Sequence, residues 1–275
     1  MIVTKDKKDL LVTIDKLKHN EKKIALIPTM GNLHEGHKTL FKRAPEDTFK
    51  VATIYVNPLQ FNDRDDYTNY PKSIKRDIDL CRELNIDLVY APELDITSEI
   101  DIENKIDLPK FSSYLCGATR KNHFQGVYTI VKYLFSIIKP DYACFGKKDY
   151  QQLVLIKFIV STFFQNLKII EVDTVRHNNI ALSSRLSRLD EETICDAQIM
   201  FKSLIKIREQ LLKGNKFSEI KDSYIDEIEK LNFKVEYLEH RNNDTLEIAE
   251  NNLSNSSVFI ACNIMNIRLI DNIQI

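Results

Sequence analysis

The sequence lacks the marks of three large classes of protein: nucleic-acid binders, membrane proteins and secreted proteins. Its 39 basic and 40 acidic residues leave a net charge of −1, whereas a general polyanion binder carries an excess of positive charge. No window approaches the roughly 18 apolar residues that a membrane-spanning helix needs, and the first residues do not form the basic-then-apolar pattern of a signal peptide. We therefore expect a cytoplasmic protein whose partners include neither nucleic acid nor a membrane.

The cysteines exclude a disulfide framework, because they are odd in number, scattered and without a CxxC pair. We expect reduced and mostly buried thiols that contribute to packing. They are Cys81, Cys116, Cys144, Cys195 and Cys262. Internal repeats and low-complexity tracts are absent as well, and a hydrophobic content of 43% is ordinary for a globular chain. A length of 275 residues allows one large domain or two moderate ones.

The order of apolar and amphipathic segments predicts an α/β protein. Up to about residue 174 strands alternate with helices, which is typical of a parallel sheet covered by helices on both faces. We expect an opening helix at 9–20, strands at 23–27, 51–57, 87–91, 141–145 and 167–174, and helices at 35–43, 73–84, 124–138 and 150–164. Ligands of such a sheet bind outside the carboxyl ends of its strands, so the residues just after each strand bear most on function.

The pattern changes near residue 173, where a smaller α+β unit begins. We expect helices at 190–213 and 218–231, strands at 233–239, 257–264 and 267–270, and an exposed, mobile, Asn-rich loop at 242–255. The predicted organisation is a parallel-sheet domain over residues 1–172 followed by a smaller C-terminal domain over residues 173–275.

The first strand leads into a turn that carries two histidines. Pro28 is expected to break the strand and Glu35 to begin a helix, so His34 and His37 fall three residues apart with both rings on one face. The N–H groups and dipole of a helix N-terminus favour an anion such as phosphate and disfavour imidazolium. Two neutral imidazoles could therefore donate N–H bonds to phosphate oxygens.

Other interpretations of this turn are weaker. A single histidine near a helix start is more often a cap or a surface residue, but two in HxGH spacing after a strand favour function. A helical zinc site usually has HxxxH with a nearby glutamate and a third ligand, which this segment lacks. Gly31 and Gly36 do not form the GxGxxG fingerprint of a dinucleotide site.

Polar groups also follow the second strand. Pro58 forces the chain out of the sheet and leaves Asn57 and Gln60 facing the crevice. The acidic cluster at 63–66 could hold magnesium, although a solvated acidic loop is the commoner interpretation.

A third polar turn follows the fourth strand. Lys147 or Lys148 can reach a phosphate there, while Asp149 and Gln152 can bond to hydroxyl groups. Polar and cationic groups at several strand ends are difficult to ascribe to surface composition alone.

Two further segments combine cations with small polar residues. Arg120 and His123 lie in a Gly-bounded loop before a long apolar helix, where helix capping with surface charge and substrate contact are equally good interpretations. Residues 182–185, Leu-Ser-Ser-Arg, suit a clamp over a triphosphate, with a plain helix N-cap as the competing interpretation.

Seven motifs carry a family resemblance along nearly the whole chain. They are Pro28-Thr-Met-Gly-Asn-Leu-His-Glu-Gly-His37, Val56-Asn-Pro-Leu-Gln-Phe61, Tyr70-Pro71, His123-Phe-Gln-Gly-Val127, Phe145-Gly-Lys-Lys-Asp-Tyr-Gln-Gln152, Leu182-Ser-Ser-Arg185 and Arg268-Leu-Ile-Asp-Asn272. In this order they closely resemble the pantoate–β-alanine ligases, or pantothenate synthetases, whereas HxGH alone marks the broader nucleotidyltransferase superfamily. The resemblance implies an N-terminal Rossmann-like domain, a smaller C-terminal lid domain, ATP with Mg²⁺, and a homodimer.

The resemblance also implies roles for single residues. Residues 29 to 37 would contact ATP, with His37 as general acid and His34 as its partner; Gln60 would contact pantoate and then β-alanine, and Gln152 pantoate. Asn57, Arg120 and His123 would line the same pocket. The implied ATP contacts are Thr29, Met30, Gly31, His34, His37, Gly146, Lys147, Lys148, Asp149, Val175 (to the adenine), Leu182, Ser183, Ser184 and Arg185. No residue is assigned as a metal ligand.

Three departures from the family pattern are visible. Lys147 replaces the usual Glu, which makes the local charge more positive. Lys121 and Asn122 replace the usual Pro-Gly before His123, which removes rigidity where substrate would be ordered. The Gly that usually precedes the final Arg-Leu-Ile-Asp-Asn is missing. None of these changes removes a catalytic group.

The chemistry of such a ligase requires activation before condensation, since a carboxylate resists nucleophiles and hydroxide is a poor leaving group. Pantoate would attack the α-phosphorus of ATP while His34, His37, Lys148, Arg185 and magnesium neutralise the developing charge. β-Alanine would then displace AMP. A simple nucleotidyltransferase is the first alternative, and the paired amides of Gln60 and Gln152 argue against it. A non-catalytic nucleotide-binding regulator is the second, and the histidine pair argues against that.

Overall fold

The computed structural model describes residues 1–93, 96–100, 106–250 and 253–275, which form two compact units. The first unit comprises Met1–Leu108, Lys121–Lys147 and Gln152–Asp173, and the second comprises Pro109–Arg120, Lys148–Gln151 and Thr174–Ile275. Two short segments before residue 173 thus group with the C-terminal part of the chain. A division into domains at residues 172 and 173 stays a prediction.

The first unit contains a six-stranded parallel sheet in the order β1-β4-β3-β2-β5-β6. Its strands are β1 Ile2–Thr4, β2 Ile24–Thr29, β3 Phe49–Ile54, β4 Leu88–Tyr90, β5 Tyr142–Gly146 and β6 Lys168–Val172. The chain runs outward from β2 to β3 and then crosses to β5 on the other side of β2. The carboxyl ends of β2 and β5 therefore form the topological switch point, where open α/β sheets bind ligands.

Ten α-helices lie within the described ranges. They are α1 Lys7–His19, α2 Glu35–Arg43, α3 Arg64–Thr68, α4 Ile74–Glu83, α5 Cys116–Thr119, α6 His123–Ile138, α7 Tyr150–Phe163, α8 Glu191–Asp196, α9 Gln198–Leu212 and α10 Phe217–Glu229. Short 3-10 turns occupy Pro58–Gln60, Ile96–Glu99, Lys110–Ser113, Lys147–Asp149 and Ser184–Arg188. None of the helices in these ranges has both the length and the apolar character needed to cross a lipid bilayer.

The strand expected at 51–57 is observed at Phe49–Ile54, so Asn57 lies beyond its end. Two further predicted boundaries in the first unit are wrong for local reasons. Helix α1 begins at Lys7 because the Asp6 carboxylate accepts the N–H groups of Lys8 and Asp9. Strand β2 does not break at Pro28, which pairs with Thr53 of β3. The pairing of β2 with β5 ends at Leu26, so no partner strand requires the N–H that proline lacks.

The core of the first unit forms where buried residues of β2 and β3 meet α2 and α4. Ala25 and Ile27 pack with Ala52 of β3, and Phe41 of α2 and Cys81 of α4 belong to the same cluster. Full burial of a side chain such as Phe41 contributes about 1.5–3 kcal/mol. Burial raises the pKa of the Cys81 thiol to about 12, and four of the five cysteines are buried, as predicted for packing residues.

The second unit is built around an antiparallel sheet in the order β11-β10-β9, with β9 Lys234–Asn242, β10 Ser256–Ile264 and β11 Ile267–Gln274. A hairpin of β7 Arg176–His177 and β8 Ile180–Ala181 precedes it. Leu204 and Ile207 of α9 and Ile228 of α10 share a core with Val258 and Ile260 of β10. The predicted fold class, a Rossmann-like parallel sheet with a smaller C-terminal α+β unit, is confirmed.

Three predictions for the second unit are wrong. The last strand, expected at 267–270, extends to Gln274. The helix expected at 190–213 is interrupted at Ala197, where α8 ends and α9 follows. The Asn-rich loop at 242–255 is not simply exposed: Leu246 and Asn243 are buried, and the Asn243 side-chain oxygen accepts the hydroxyl of Ser257 at 2.6 Å. Residues 251–252 of this loop lie outside the described residues.

Candidate active site

The histidine loop, residues 30–34, leaves the sheet at the carboxyl end of β2. Thr29 is buried, and its hydroxyl donates to the carbonyl of Thr53 at 2.7 Å and accepts the N–H of Gly31 at 3.3 Å. Gly31 has a φ of +82° and Asn32 a φ of +48°, which are left-handed conformations that glycine and asparagine tolerate best. The loop therefore reverses direction within two residues of the end of the strand.

The side chain of Asp77, in α4, holds this loop through hydrogen bonds. Its carboxylate accepts the backbone N–H groups of Asn32 and Leu33, each at 2.8 Å, and the hydroxyl of Ser73 at 3.0 Å. The side chain is buried, with a residue exposure of 1%. Sequence reasoning missed Asp77, because an acidic residue in the first turn of a charged helix is ordinarily explained by the helix dipole.

His34 and His37 cap α2 reciprocally. The Nδ1 of His34 accepts the N–H of Gly36, and the Nδ1 of His37 accepts the N–H of His34, both at 3.2 Å. A ring nitrogen that accepts a hydrogen bond carries no proton, so each neutral ring holds its proton on Nε2. The ring centroids are 4.1 Å apart. The sequence predicted a histidine pair on one face, and the structure brings the two rings together.

A cleft of about 830 Å³ opens beside His34. Its charged lining residues are Glu35, Lys38, Lys75, Arg76, Asp79 and Glu83. Three are cationic and three anionic, so they do not concentrate positive charge as a phosphate site requires. The charges that line this cleft therefore do not favour a phosphate group there.

The turn after β3 is organised by Asn57. Its side-chain oxygen accepts the N–H of Leu59 at 3.2 Å, and its Nδ2 donates to Gln60 Oε1 at 3.0 Å and to the carbonyl of Gly126 at 3.1 Å. The residue is 1% exposed. Asn57 therefore fixes both the backbone of the turn and the amide of Gln60.

Gln60 and its neighbours form the second cluster of predicted residues. His123 Nδ1–H donates to the backbone carbonyl of Gln60 at 2.8 Å, and Gln60 Nε2 lies 3.2 Å from Met30 Sδ. Helix α6 approaches this turn so closely that a Cβ on Gly126 would lie 2.4 Å from the backbone oxygen of Leu59. Met30, Asn57, Gln60 and His123, all predicted site residues, thus lie together in the first unit.

The end of β5 carries Gly146 and Lys147. Lys147 Nζ donates to Asp173 Oδ1 at 2.7 Å, and the hydrogen bond and charge of Lys147 lower the pKa of the exposed Asp173 carboxyl. A Cβ added at Gly146 would meet no atom within 4 Å. The substitution of Lys for the usual Glu at position 147 is thus matched by an adjacent carboxylate.

Two adjacent glutamines at the start of α7 differ in their use. Gln151 donates to the carbonyls of Phe111 and Tyr114 at 2.8 and 2.7 Å, and accepts the N–H of Cys116 at 3.0 Å. The Gln151 amide therefore holds the backbone of residues 111–116 in place. Gln152, which the sequence assigned to substrate, takes no part in that network.

Lys148 and Asp149 belong to the second unit, where Lys148 Nζ lies 3.8 Å from Asp149 Oδ2. The backbone carbonyl of Lys148 accepts Nδ2 of Asn272 at 2.9 Å. The Arg-Leu-Ile-Asp-Asn motif, which sequence reasoning left without a role, thus supports the turn that carries Lys148.

The neighbouring residues of that motif form the Arg176 cluster, composed of Arg176, Phe201, Asp271 and Asn272. Arg176 pairs with the Asp271 carboxylate, donates to the carbonyl of Asn272 at 3.2 Å, and stacks 3.5 Å over the ring of Phe201. Burial raises the pKa of Asp271 although Arg176 opposes the shift. Sequence reasoning missed Arg176.

The segment after β8 carries the predicted clamp. The N–H of Leu182 donates to the carbonyl of Val175 at 3.0 Å, and the Ser183 hydroxyl accepts the N–H of Arg185 at 3.2 Å as the cap of a 3-10 turn. Capping by Ser183 is therefore observed, and a clamp over a triphosphate stays a prediction. Arg120 lies in the second unit and His123 in the first.

Comparisons with known proteins agree along the whole chain. The family model for pantoate-beta-alanine ligase matches residues 2–274. A pantothenate synthetase of Laribacter hongkongensis is 37% identical over 274 residues, which cover 97% of this chain and 99% of the relative. That of Fervidobacterium nodosum is 36% identical over 276 residues, with 97% and 99% covered.

Solved structures of the same family have a fold similar to that of this chain. Pantothenate synthetase from Thermus thermophilus matches with a TM-score of 0.89 and 32% identity, covering 100% of this chain and 99% of that one. The Francisella tularensis pantoate-beta-alanine ligase, complexed with beta-gamma ATP and beta-alanine, matches with a TM-score of 0.81 and 32% identity, covering 100% and 97%. This chain therefore belongs to the pantoate–β-alanine ligase family of enzymes.

Proposed function

We propose that the protein joins pantoate to β-alanine in two steps through a pantoyl adenylate, with ATP as the activating substrate. In the first step a pantoate carboxylate oxygen bonds to the α-phosphorus of ATP, and the bond from that phosphorus to pyrophosphate breaks. In the second, the amine of β-alanine bonds to the acyl carbon, AMP leaves with the bonding electrons, and the nitrogen loses a proton. The complex of the Francisella ligase with beta-gamma ATP and beta-alanine supports this choice of substrates.

The observation that carries the proposal is the pair of backbone hydrogen bonds accepted by the Nδ1 atoms of His34 and His37. Because both Nδ1 atoms accept backbone N–H bonds, each ring can offer an Nε2–H donor to phosphate oxygens without becoming cationic. Such donors are most effective where negative charge builds in the transition state. The positive end of α2 acts in the same direction.

The other phosphate contacts are assigned by the same reasoning. Lys148 and Arg185 would neutralise charge on the phosphates, Val175 would contact the adenine, and residues 182–185 would close over the triphosphate. The backbone conformation of Gly146 does not itself require glycine, because its φ is not left-handed. The space beside Gly146 is open, so the missing side chain would allow ATP to approach the backbone closely. Lys147, already paired with Asp173, would contribute less than Lys148.

Magnesium fits the residues assigned to ATP. Asp149 supplies a carboxylate, the ligand type that Mg²⁺ prefers, and its side chain is 50% exposed beside Lys148. In the acidic segment 63–66, Asp63 already caps α3 by accepting the N–H of Asp65 at 2.7 Å. Bound with ATP, the ion would neutralise phosphate charge, while Asp149 would hold it beside the phosphates.

Gln60 and Gln152 would hold pantoate. The Gln60 amide is oriented by Asn57, which fits a fixed hydroxy-acid ligand better than a mobile phosphate. The protein would otherwise act by positioning the reactants and by excluding water from the adenylate. Assembly as a homodimer, which the family resemblance implies, stays a prediction.

The proposal is tested by positional isotope exchange within ATP. Exchange and pyrophosphate release should appear with pantoate and ATP alone, because adenylation precedes the amine. Exchange that needs β-alanine would contradict the two-step scheme. Adenylation of a phosphorylated alcohol in place of pantoate would favour a simple nucleotidyltransferase instead.

A further inference from the structure

Asp77 is a buried carboxylate that is held by hydrogen bonds. Its hydrogen-bond donors include the N–H groups of Asn32 and Leu33 and the hydroxyl of Ser73. A buried charge is costly unless hydrogen bonds replace the lost water. Three donors at 2.8–3.0 Å supply such bonds to a residue that is 1% exposed.

Two of the three contacts hold the backbone of the histidine loop. Gly31 and Asn32 are both left-handed, with φ values of +82° and +48°, a conformation that side-chain-bearing residues adopt rarely and that needs support from the surrounding structure. Successive N–H groups in such turns form a concave anion-binding surface. Here the Asp77 carboxylate occupies that surface, so it stabilises the turn that it contacts.

The stabilised turn leads directly to the histidines. His34 follows Leu33 and adopts an extended φ of −138° as the cap of α2. A shift of the Leu33 backbone would move the N–H of His34, which is the donor that fixes the tautomer of His37. The position of the turn therefore sets the donor that His37 accepts and the backbone from which the His34 ring extends.

We propose that Asp77 is a positioning residue for the reaction, which holds the histidine loop so that His34 and His37 keep their Nε2–H donors in place. The catalytic part of this inference rests on the proposed function. The structural part does not, since it concerns hydrogen bonds between residues of the protein itself.

The space around Asp77 makes the carboxylate specific. Both carboxylate oxygens of Asp77 already lie 2.8 Å from nitrogens of the loop, so the longer side chain of glutamate would displace the loop. Asparagine keeps the shape but offers only one acceptor oxygen, and its NH₂ group would face a backbone N–H. Asp77→Asn therefore removes one of the two loop bonds at constant volume.

The experiment compares Asp77→Asn with Asp6→Asn. Asp6 is the matched control because its carboxylate also accepts two backbone N–H groups, those of Lys8 and Asp9, at the start of α1. In ¹⁵N-histidine spectra of the unliganded protein, assigned with His34→Gln and His37→Gln, the Nε2–H tautomer should be mixed in Asp77→Asn and unchanged in Asp6→Asn. The kcat for adenylate formation should fall about 10- to 100-fold, as for misplaced catalytic groups, with the KM for ATP close to wild type.

Unchanged histidine spectra in a folded Asp77→Asn protein would overturn the proposal. If that variant does not fold, Ser73→Ala serves, because it removes a hydroxyl that lies 3.0 Å from Asp77 Oδ1 and 3.4 Å from Asn32 Oδ1, and it leaves both bonds from the loop N–H groups to Asp77 possible. It should move the same two rings by a smaller amount, and unaltered spectra would count equally against the proposal. If wild-type protein forms no adenylate, the proposed function fails, while the spectra still decide whether Asp77 positions the rings.

Discussion

The histidine loop and the Arg176 cluster meet the same requirement by different means. In the histidine loop, a buried carboxylate is stabilised by N–H and O–H donors. In the Arg176 cluster, a buried carboxylate is paired with a guanidinium that also stacks on an aromatic ring. The first arrangement depends on backbone geometry and the second on charge. The two regions should therefore respond differently to substitution and to pH.

The largest effect on stability should come from Gly126, where α6 packs most closely against the turn at residues 58–60. Gly126→Ala would place a Cβ 2.4 Å from the Leu59 backbone and 2.6 Å from the N of Gln60. Because backbone must move, we expect a loss of about 4 kcal/mol or more in the free energy of unfolding, measured with urea. Gly146→Ala, which adds a Cβ in open space, should leave stability nearly unchanged. Equal stability of the two variants would contradict the close packing of α6.

Arg176→Met tests the charge-dependent cluster. The Asp271 carboxylate would remain buried and unpaired, at a cost of about 3–5 kcal/mol in the free energy of unfolding. Lys206→Met, which breaks the exposed pair with Glu227, is the control and should cost under about 1 kcal/mol. Similar losses in the two variants would show that the Arg176 pair is not a buried support.

The loss of stability in Arg176→Met should depend on pH, and the pKa of Asp271 gives the direction. Burial raises the folded-state pKa of Asp271 above its usual 3.8, so the folded state binds the proton more tightly than the unfolded state and stability falls as pH rises through this window. Without Arg176, the pKa should rise further and the deficit relative to wild type should shrink as pH falls toward 4. A deficit that does not change with pH would contradict this origin.

His37→Gln and His37→Ala test whether the histidine loop supplies a donor or a proton. Alanine should cost about 2–4 kcal/mol in kcat/KM, the range for deleted charge-stabilising donors. Glutamine should recover much of that loss, because the Nε2–H geometry indicates a donor. The measurement is single-turnover adenylate formation with ATP affinity by equilibrium titration. Equal damage from both substitutions would indicate proton transfer, and an unchanged rate in His37→Ala would exclude either role.

The smallest effect should come from Lys147→Glu, which restores the residue usual in the family. Lys147 is paired with an exposed carboxylate, so stability should change by less than about 1 kcal/mol, and ATP affinity should change far less than in Lys148→Met. A loss in Lys147→Glu as large as that in Lys148→Met would assign the phosphate contact to Lys147. The pKa of Asp173 should rise, since Lys147 is what lowers it.

The sequence predicts elements whose signals are local. Helix α2 has the predicted bounds because a capping pair precedes it and a clear periodicity follows. Strand β1 was missed because three residues are too few for a pattern. The interruption at Ala197 has no sequence signal that we can identify.

The site divides in the same way. His34, His37, Asn57 and Gln60 follow strand ends and can be found from position alone. Asp77 and Arg176 cannot, because their bonds join residues 44 to 96 positions apart and their own sequence surroundings are ordinary. Gly126 is a third case. Glycine is required there because the backbone of Leu59 and Gln60, far earlier in the chain, leaves no room for a Cβ.

The hydrogen bond from Asn272 to Lys148 has a consequence for the order of events during synthesis. Its two residues are 124 positions apart, whereas the bond from Asn32 to Asp77 spans 45. At about 5–20 residues per second, a ribosome makes Asn272 roughly 6–25 s after Lys148, but Asp77 only about 2–9 s after Asn32. The histidine loop can thus be ordered on the nascent chain, while the support for Lys148 arrives only with the last strand.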